Sequence, residues 1–493
     1  MDTIKYLLSP ERPLGHVEDD EIFHTGVFDN LDGMPDMVID WTLCFNDVLD
    51  AEKLHNSLCR LLQTGDWKKL SGRLRVGRGR TYEIHVPTKF TAERPLVDFS
   101  IETLHISIDE HPLAGKLPKP TPGELSFHES SRSFAKLGTP PGRPTTIKEF
   151  TMKDVPLIGL HIKSFTDATL VSLHYSHIMM DGPGQGELLR AWSRVLAGEQ
   201  PPPLLGVHED LVYKAADLDT GPQESYSLEP SLMTGLQMVL FVLFVLWDAL
   251  WFSMDTRTVF LPKKTIDALR SNMVWELTEK QSGREEKPWV SDNDALQGLF
   301  GSRVAQTASS PRSLAMRTVF DLRGRVLGQA GGVFVQNAVM AAMTLLSAEE
   351  AQKVSASQLA LQGRQALKEQ TSPGQARAIL RMFRRQWDLA KVGTALVGIP
   401  SQQLFMVSSW SRANIMQAAQ FGPAVLKKGN SDTGRRNLLG TMWYQHWNIV
   451  KPSIFVRNVL LVYGRDNERN YWLTGYFKIQ TWDAVEKALK DLA

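Results

Sequence analysis

One stretch constrains this chain more than any other: Leu170 to Trp192, "LVSLHYSHIMMDGPGQGELLRAW". An apolar run of strand character ends in a histidine. Four residues on stands an aspartate, followed by glycine, proline, glycine and an amphipathic run with helical spacing. A fold that accepts this stretch must turn sharply from a buried strand into a helix. That turn is where α/β proteins place reactive side chains, because the strand end is rigid and the turn exposes them. The spacing His-x-x-x-Asp alone carries little, since it also occurs at His16/Asp20 and His105/Asp109. The first lies in a charged stretch, "GHVEDDE". The second, "LHISIDEH", alternates apolar and polar residues and predicts a half-buried strand. Only His177/Asp181 follows a strongly apolar strand and enters a Gly/Pro turn.

A neutral imidazole at a strand end can take a proton from a hydroxyl or an amine, and its ordinary pKa suits a general base. Asp181 could orient that imidazole, or pair with an arginine and lock the turn that aims it. The residues also permit a plainer reading, with His177 a satisfied polar group and Asp181 a helix cap. No Gly-x-Ser-x-Gly elbow is present, which disfavours a triad hydrolase. His174, on the same strand, is assigned no proton to move.

The length of 493 residues exceeds what one core comfortably serves, so two domains are expected. The net charge of +1 gives no general basic field for nucleic acid. The two cysteines, Cys44 on a predicted strand and Cys59 on a predicted helix, read as small buried hydrophobes. Neither a disulfide framework nor a metal site is expected. The opening "MDTIKYLLSPERP" is too short and polar for a secretory signal, so a cytoplasmic protein is expected.

The pattern predicts strands in "DMVIDWTLCFND", "RTYEIHVP", "LIGLHIKSF" and "TLVSLHYSH", the last two a hairpin, and helices in "DAEKLHNSLCRLLQ" and "GELLRAWSRVLAG". Residues 201–255 read as a crossover linker between domains spanning 1–200 and 256–493. The linker contains "LQMVLFVLFVLWDALWF", with ten unbroken apolar residues from Met238 to Trp247. A membrane span needs about 20, and shorter runs are more often buried. The expectation is a core helix in the groove between domains; attachment to a membrane surface is the second reading. Beyond it, strands are expected in "TRTVFLP", "SLAMRTVFDLRGR", "QLFMVSSWS", "IFVRNVLLVYG" and "NYWLTGYFKI". Helices are expected at "KKTIDALRSNM", at "VSDNDALQGLFGSRVAQ" capped by Ser291 or Asp292, and at "TWDAVEKALKDL" capped by Thr481.

With Gly182 included, "HIMMDG" resembles the His-x-x-x-Asp-Gly signature of BAHD-like acyl-CoA-dependent acyltransferases. "LHNSLCRLLQTGDWKKLSGRLRV", "SDNDALQGLFGSRVAQ", "VFDLRGRVLGQAGGVFVQNAV" and "VSSWSRANIMQAAQFGPA" resemble further blocks of that family, in order along nearly the whole chain. The connector and the tail "NERNYWLTGYFKIQTWDAV" resemble the fungal branch that includes trichothecene acetyltransferase-like enzymes. The resemblance implies two chloramphenicol-acetyltransferase-like α/β sandwiches facing across a central channel. It implies transfer of an acyl group, chiefly acetyl, from acyl-CoA to a hydroxyl of a small natural product in secondary metabolism. His177 would be the general base, with no covalent acyl-enzyme. Asp181 would pair with Arg323, Ser408 would donate to the oxyanion, and Gly182 and Trp410 would support the turn. Asn337, Arg325 and Gly422 would lie toward the coenzyme, which is a co-substrate rather than a bound cofactor. A monomer without metal or nucleic-acid partner is implied.

Some positions depart from the family pattern. Its Asp-Phe-Gly-Trp-Gly block is Gln420-Phe421-Gly422-Pro423-Ala424 here, and Gln336 replaces a glycine before Asn337. A carrier-dependent condensation enzyme has a similar core, but usually has two adjacent histidines where this chain has Ser176 and His177. The motifs are also compatible with N-acyl transfer, or with a catalytically idle relative that serves as a binding protein.

Overall fold

The computed structural model describes residues 13–492 except positions 32, 80, 122, 139, 218–223, 281–286, 329–330, 391–395 and 430–434. The predicted non-signal opening therefore falls mainly outside the described residues.

Strand β1, Val38–Phe45, is buried along its whole length. Helix α1, Ala51–Leu62, starts where the Asp50 carboxylate accepts from the Lys53 amide. Strands β2 (Asp98–Thr103), β3 (Ser126–His128), β4 (Gly159–Ser164) and β5 (Thr169–Ser176) follow. Helix α2, Gly182–Leu196, is capped by Asp181, and the left-handed Gly198 lies just past its end. The Trp192 indole donates to Leu54 O and Ser57 Oγ, tying α2 to α1. Helix α3, Leu236–Trp251, is the apolar connector.

The second half contributes β6 (Asp255–Leu261), α4 (Lys263–Lys280) and α5 (Asp292–Gln306). Ser291 and Asp294 form a reciprocal capping box at the start of α5. Then come β7 (Leu314–Asp321), β8 (Val339–Leu346), α6 (Ala356–Gln370), β9 (Gln403–Ser409), β10 (Tyr444–Ile449), β11 (Val459–Arg465), β12 (Tyr471–Phe477) and α7 (Ile479–Lys490).

Two sheets organise these elements. One has the order β10-β1-β5-β4-β2, the other β8-β7-β9-β11-β12-β6-β3. β4 and β5 form the expected hairpin, and β11 pairs with β12. The sheets also exchange strands. β10, from the second half, pairs antiparallel with β1, and β3, from the first half, pairs with β6. Each sheet is therefore completed by the other half of the chain, and the boundaries at 200 and 255 do not by themselves divide the sheets.

Three expectations fail. The stretch 104–111 is not a strand: Ser107 caps a short 3-10 turn, Ile108–Glu110, and Glu110 reaches back to the Ser107 amide. This local capping box overrides the alternation. Thr481 does not cap the last helix. Lys478 occupies the cap position, and Thr481 is buried one turn in, its hydroxyl 2.7 Å from that of Thr307. The apolar connector is not core. Among its residues only Phe241 is fully buried, while Leu236, Leu243, Trp247 and Leu250 are exposed. No element closes over its outer side among the described residues, so its apolar surface stays open. No helix among the described residues is long and apolar enough to cross a membrane.

Candidate active site

The end of β5 and the start of α2 are fixed by backbone bonds first. The His177 amide donates to Met37 O at 2.8 Å. The His177 carbonyl accepts from Asn337 Nδ2 at 2.9 Å. The histidine is thus held at both ends of its peptide unit, by segments from opposite halves of the chain.

Asp181 does two jobs with one carboxylate. Oδ1 accepts from the Gly184 amide at 2.9 Å, capping α2. The same oxygen takes Arg323 Nη2 at 2.7 Å, while Oδ2 takes Arg323 Nη1 at 3.1 Å and the Ala338 amide at 2.9 Å. Both side chains are buried, so the pair persists only because every polar atom is engaged. Arg323 spends its other donors on Phe334 O, Gln336 O and Asp321. The arginine therefore staples the 334–338 segment to the His177 turn.

Two glycines of the turn are required by contact. A Cβ on Gly182 would lie 2.6 Å from the Trp410 indole nitrogen, and one on Gly184 would lie 2.0 Å from Val335 O. Trp410 Nε1 donates to Ser408 Oγ at 3.2 Å. Trp410 packs edge-on against Trp447, which in turn meets the His177 ring at 6.2 Å and 90°. Ser408 is thus connected to His177 through these two indoles.

Burial pushes the His177 pKa down, against the pull of the Asp181 charge and of the nearby Asn337 side chain. Its Nδ1 is buried without a hydrogen-bond partner among the described residues. His174 differs: its Nε2 lies 2.7 Å from Pro144 O, and burial lowers its pKa to about 4. The other two His-x-x-x-Asp pairs are unrelated to this site. Asp20 pairs with Arg94 and Asp109 with Lys119.

The structure thus brings together His177, Asp181, Gly182, Arg323, Asn337 and Trp410, with Ser408 beside them. It does not bring Arg325 or Gly422 next to His177. Arg325 donates to Thr371 and lies over Phe320. Gly422 opens a short turn near the far end of α2, where the neighbouring Gln420 amide donates to Ser193.

Two residues escaped the sequence. Asp29 is buried and accepts from the Asn337 amide at 3.0 Å and from its side chain at 2.8 Å, holding the asparagine that holds His177. Burial raises its pKa to about 6. Trp447 arrives on the exchanged strand β10. Neither position carries a local signal: Asp29 acquires its role from Asn337, 308 positions away, and Trp447 from His177, 270 positions away. Beside Asn337 and Asp29 a cavity of about 290 Å³ opens, walled by Phe23, Phe28, Phe334 and Gln336. No cluster among the described residues has the makings of a metal site.

A sequence profile of the Transferase family matches residues 144–425, which contain both partners of the buried ion pair. The O-acetyltransferase PaAT-2 of Phomopsis amygdali is 33% identical over 94% of this chain and 96% of its own length. The acetyltransferase BOT5 of Botryotinia fuckeliana is 33% identical over 96% of this chain and 90% of its own. Among solved structures, F. graminearum TRI101 complexed with coenzyme A and T-2 mycotoxin superposes with a TM-score of 0.65 at 14% identity, covering 95% of this chain and 97% of that one. Vinorine synthase gives a TM-score of 0.56 at 13% identity, over 97% and 95%. At such identities these two structures establish the shared fold.

Proposed function

This chain belongs to the Transferase family of BAHD-like fungal acyltransferases, and from that premise we propose that it moves an acyl group, chiefly acetyl, from acyl-CoA to a hydroxyl of a small natural product. His177 acts as the general base. The observation that carries this reading is the buried Asp181–Arg323 pair, which spends both residues on holding the His177 turn. With Nδ1 enclosed, Nε2 is the ring nitrogen left for a substrate.

In the proposed reaction Nε2 takes the proton of the acceptor hydroxyl as its oxygen attacks the thioester carbonyl carbon. The Ser408 hydroxyl donates to the resulting oxyanion; such a donor is typically worth about 3 kcal/mol. Collapse breaks the carbon–sulfur bond, and the imidazolium returns its proton to the departing thiolate. An ester and a free thiol result, with no acyl group on the protein. Asp181 is turned inward onto Arg323 and the Gly184 and Ala338 amides, so it shapes the turn rather than meeting the acceptor. Asn337 and, behind it, Asp29 hold the His177 peptide. The lowered pKa keeps the imidazole neutral and able to accept a proton at neutral pH.

The test is free-thiol release from acetyl-CoA with a panel of alcohols. His177→Ala should lower turnover about 10²–10⁴-fold with the circular-dichroism spectrum unchanged. Near-wild-type turnover in that variant would remove His177 as the base. The absence of turnover by the wild type across acyl-CoA donors and alcohols would favour a binding protein instead.

A further inference from the structure

Helix α3 turns an apolar face to solvent that nothing in the acyl-transfer chemistry uses. At 100° per residue, its exposed apolar side chains sweep about 200° of its circumference. Leu236, Val239, Leu243, Trp247 and Leu250 run along the middle of that arc, with Val242 and Phe244 at its edges. Leu236 is 71% exposed and Leu250 81%. The arc contains no charged residue. The one charge on the helix, Asp248, is turned toward the body and paired with Arg312 at 2.6 Å.

The helix is anchored from behind. Phe241 is buried, and Arg457 donates to the carbonyls of Asp248 and Phe252. Two positions before Arg457, Phe455 is exposed together with Ile454, so the apolar surface continues past the end of the helix. Lys478 Nζ sits 3.7 Å from the Phe252 ring centre. Arg312 on the Asp248 carboxylate, Arg457 on the last carbonyls and Lys478 on the Phe252 ring thus place three cations and one carboxylate at this end of the helix, beneath the exposed Trp247 and Trp251.

We infer that the outer face of α3 docks on an anionic lipid bilayer, lying in the plane of its surface. Three features select this occupant. Sixteen residues rise about 24 Å, short of the hydrocarbon core, so the helix lies on the bilayer rather than across it. A two-helix seam with a second copy takes a narrow stripe flanked by charged residues, whereas a helix sunk to its axis in the acyl boundary covers about half its circumference. Tryptophans at one end, above a positive cluster, match the headgroup level of an anionic leaflet. The protein body takes the place of the polar face that a free surface helix would carry. The inference is independent of the acyl-transfer reading.

The purified full chain should co-sediment with vesicles of equal parts phosphatidylcholine and phosphatidylserine, and more weakly with phosphatidylcholine alone or at high salt. Leu243→Ser combined with Leu250→Ser should weaken that binding about tenfold or more, because each leucine contributes its own transfer energy. Its melting temperature should stay close to the wild-type value. Brominated lipid should quench wild-type indole emission, and less so in Trp251→Phe, a readout that does not depend on the double variant folding. No sedimentation of the wild type, undiminished binding by the folded double variant, or a wild-type dimer in solution abolished by those substitutions would each overturn the inference.

Discussion

The turn at His177 and the helix α3 are opposites in composition and in fate. The turn supplies Asp181 to a full ion pair with Arg323 and is buried; α3 contains ten apolar residues in unbroken succession and is largely exposed. Burial follows from whether a surface exists to receive a side chain. Arg323 finds Asp181, Asp321 and two backbone carbonyls converging on it, whereas most of α3 meets no second layer.

The comparison is broken most forcefully at the ion pair. Arg323→Ala leaves a buried carboxylate without its partner and should cost about 3–5 kcal/mol in denaturant unfolding, with activity lost in parallel. Asp181→Asn should act in the same direction, and the double variant should cost less than the sum of the singles. Strict additivity would mean that the two residues do not share one interaction. Phe241→Ala tests the anchored side of α3. It removes the helix's only fully buried side chain and should cost about 3 kcal/mol, the low end for a buried phenylalanine. Gly182→Ala forces a methyl toward the Trp410 indole and should cost about 1–3 kcal/mol, read as a lower melting temperature. Leu243→Ala, on the open side of α3, should change stability by no more than about 0.5 kcal/mol despite removing a larger group than Gly182→Ala adds. A loss at Leu243 equal to that at Phe241 would place the outer face in the core after all.

The smallest expected effect is on pH dependence. A base must be neutral to accept a proton, and burial lowers the His177 pKa. The acid limb of kcat/KM should therefore fall below the ordinary imidazole value of 6.5, activity being retained above the lowered pKa and lost as pH drops through it. A limb above 6.5 would assign the profile to another group.

What the sequence made legible was local or carried by ordered motifs. The strand–turn–helix around His177, the Ser291 cap and the β4–β5 hairpin all follow from residues a few positions apart. The pairing of Asp181 with Arg323 spans 142 positions, and only the family resemblance points to it. Asp29 and Trp447 had no comparable motif. Composition marks α3 as a helix but carries no information on what lies opposite it. At 104–111 the alternating pattern was real, and the Ser107–Glu110 box was a nearer competitor for the same backbone.

The exchange of β3 and β10 also sets a timetable for synthesis. The edge of β1 receives its partner only when β10 has been made, Trp41 pairing with Trp447. At about 5–20 residues per second, the roughly 400 residues between them occupy the ribosome for on the order of a minute. Throughout that interval β1 presents an open, apolar edge, an invitation to pair with the wrong chain. A chain that ends before residue 444 lacks β10, and its first sheet keeps β1 as an uncovered edge.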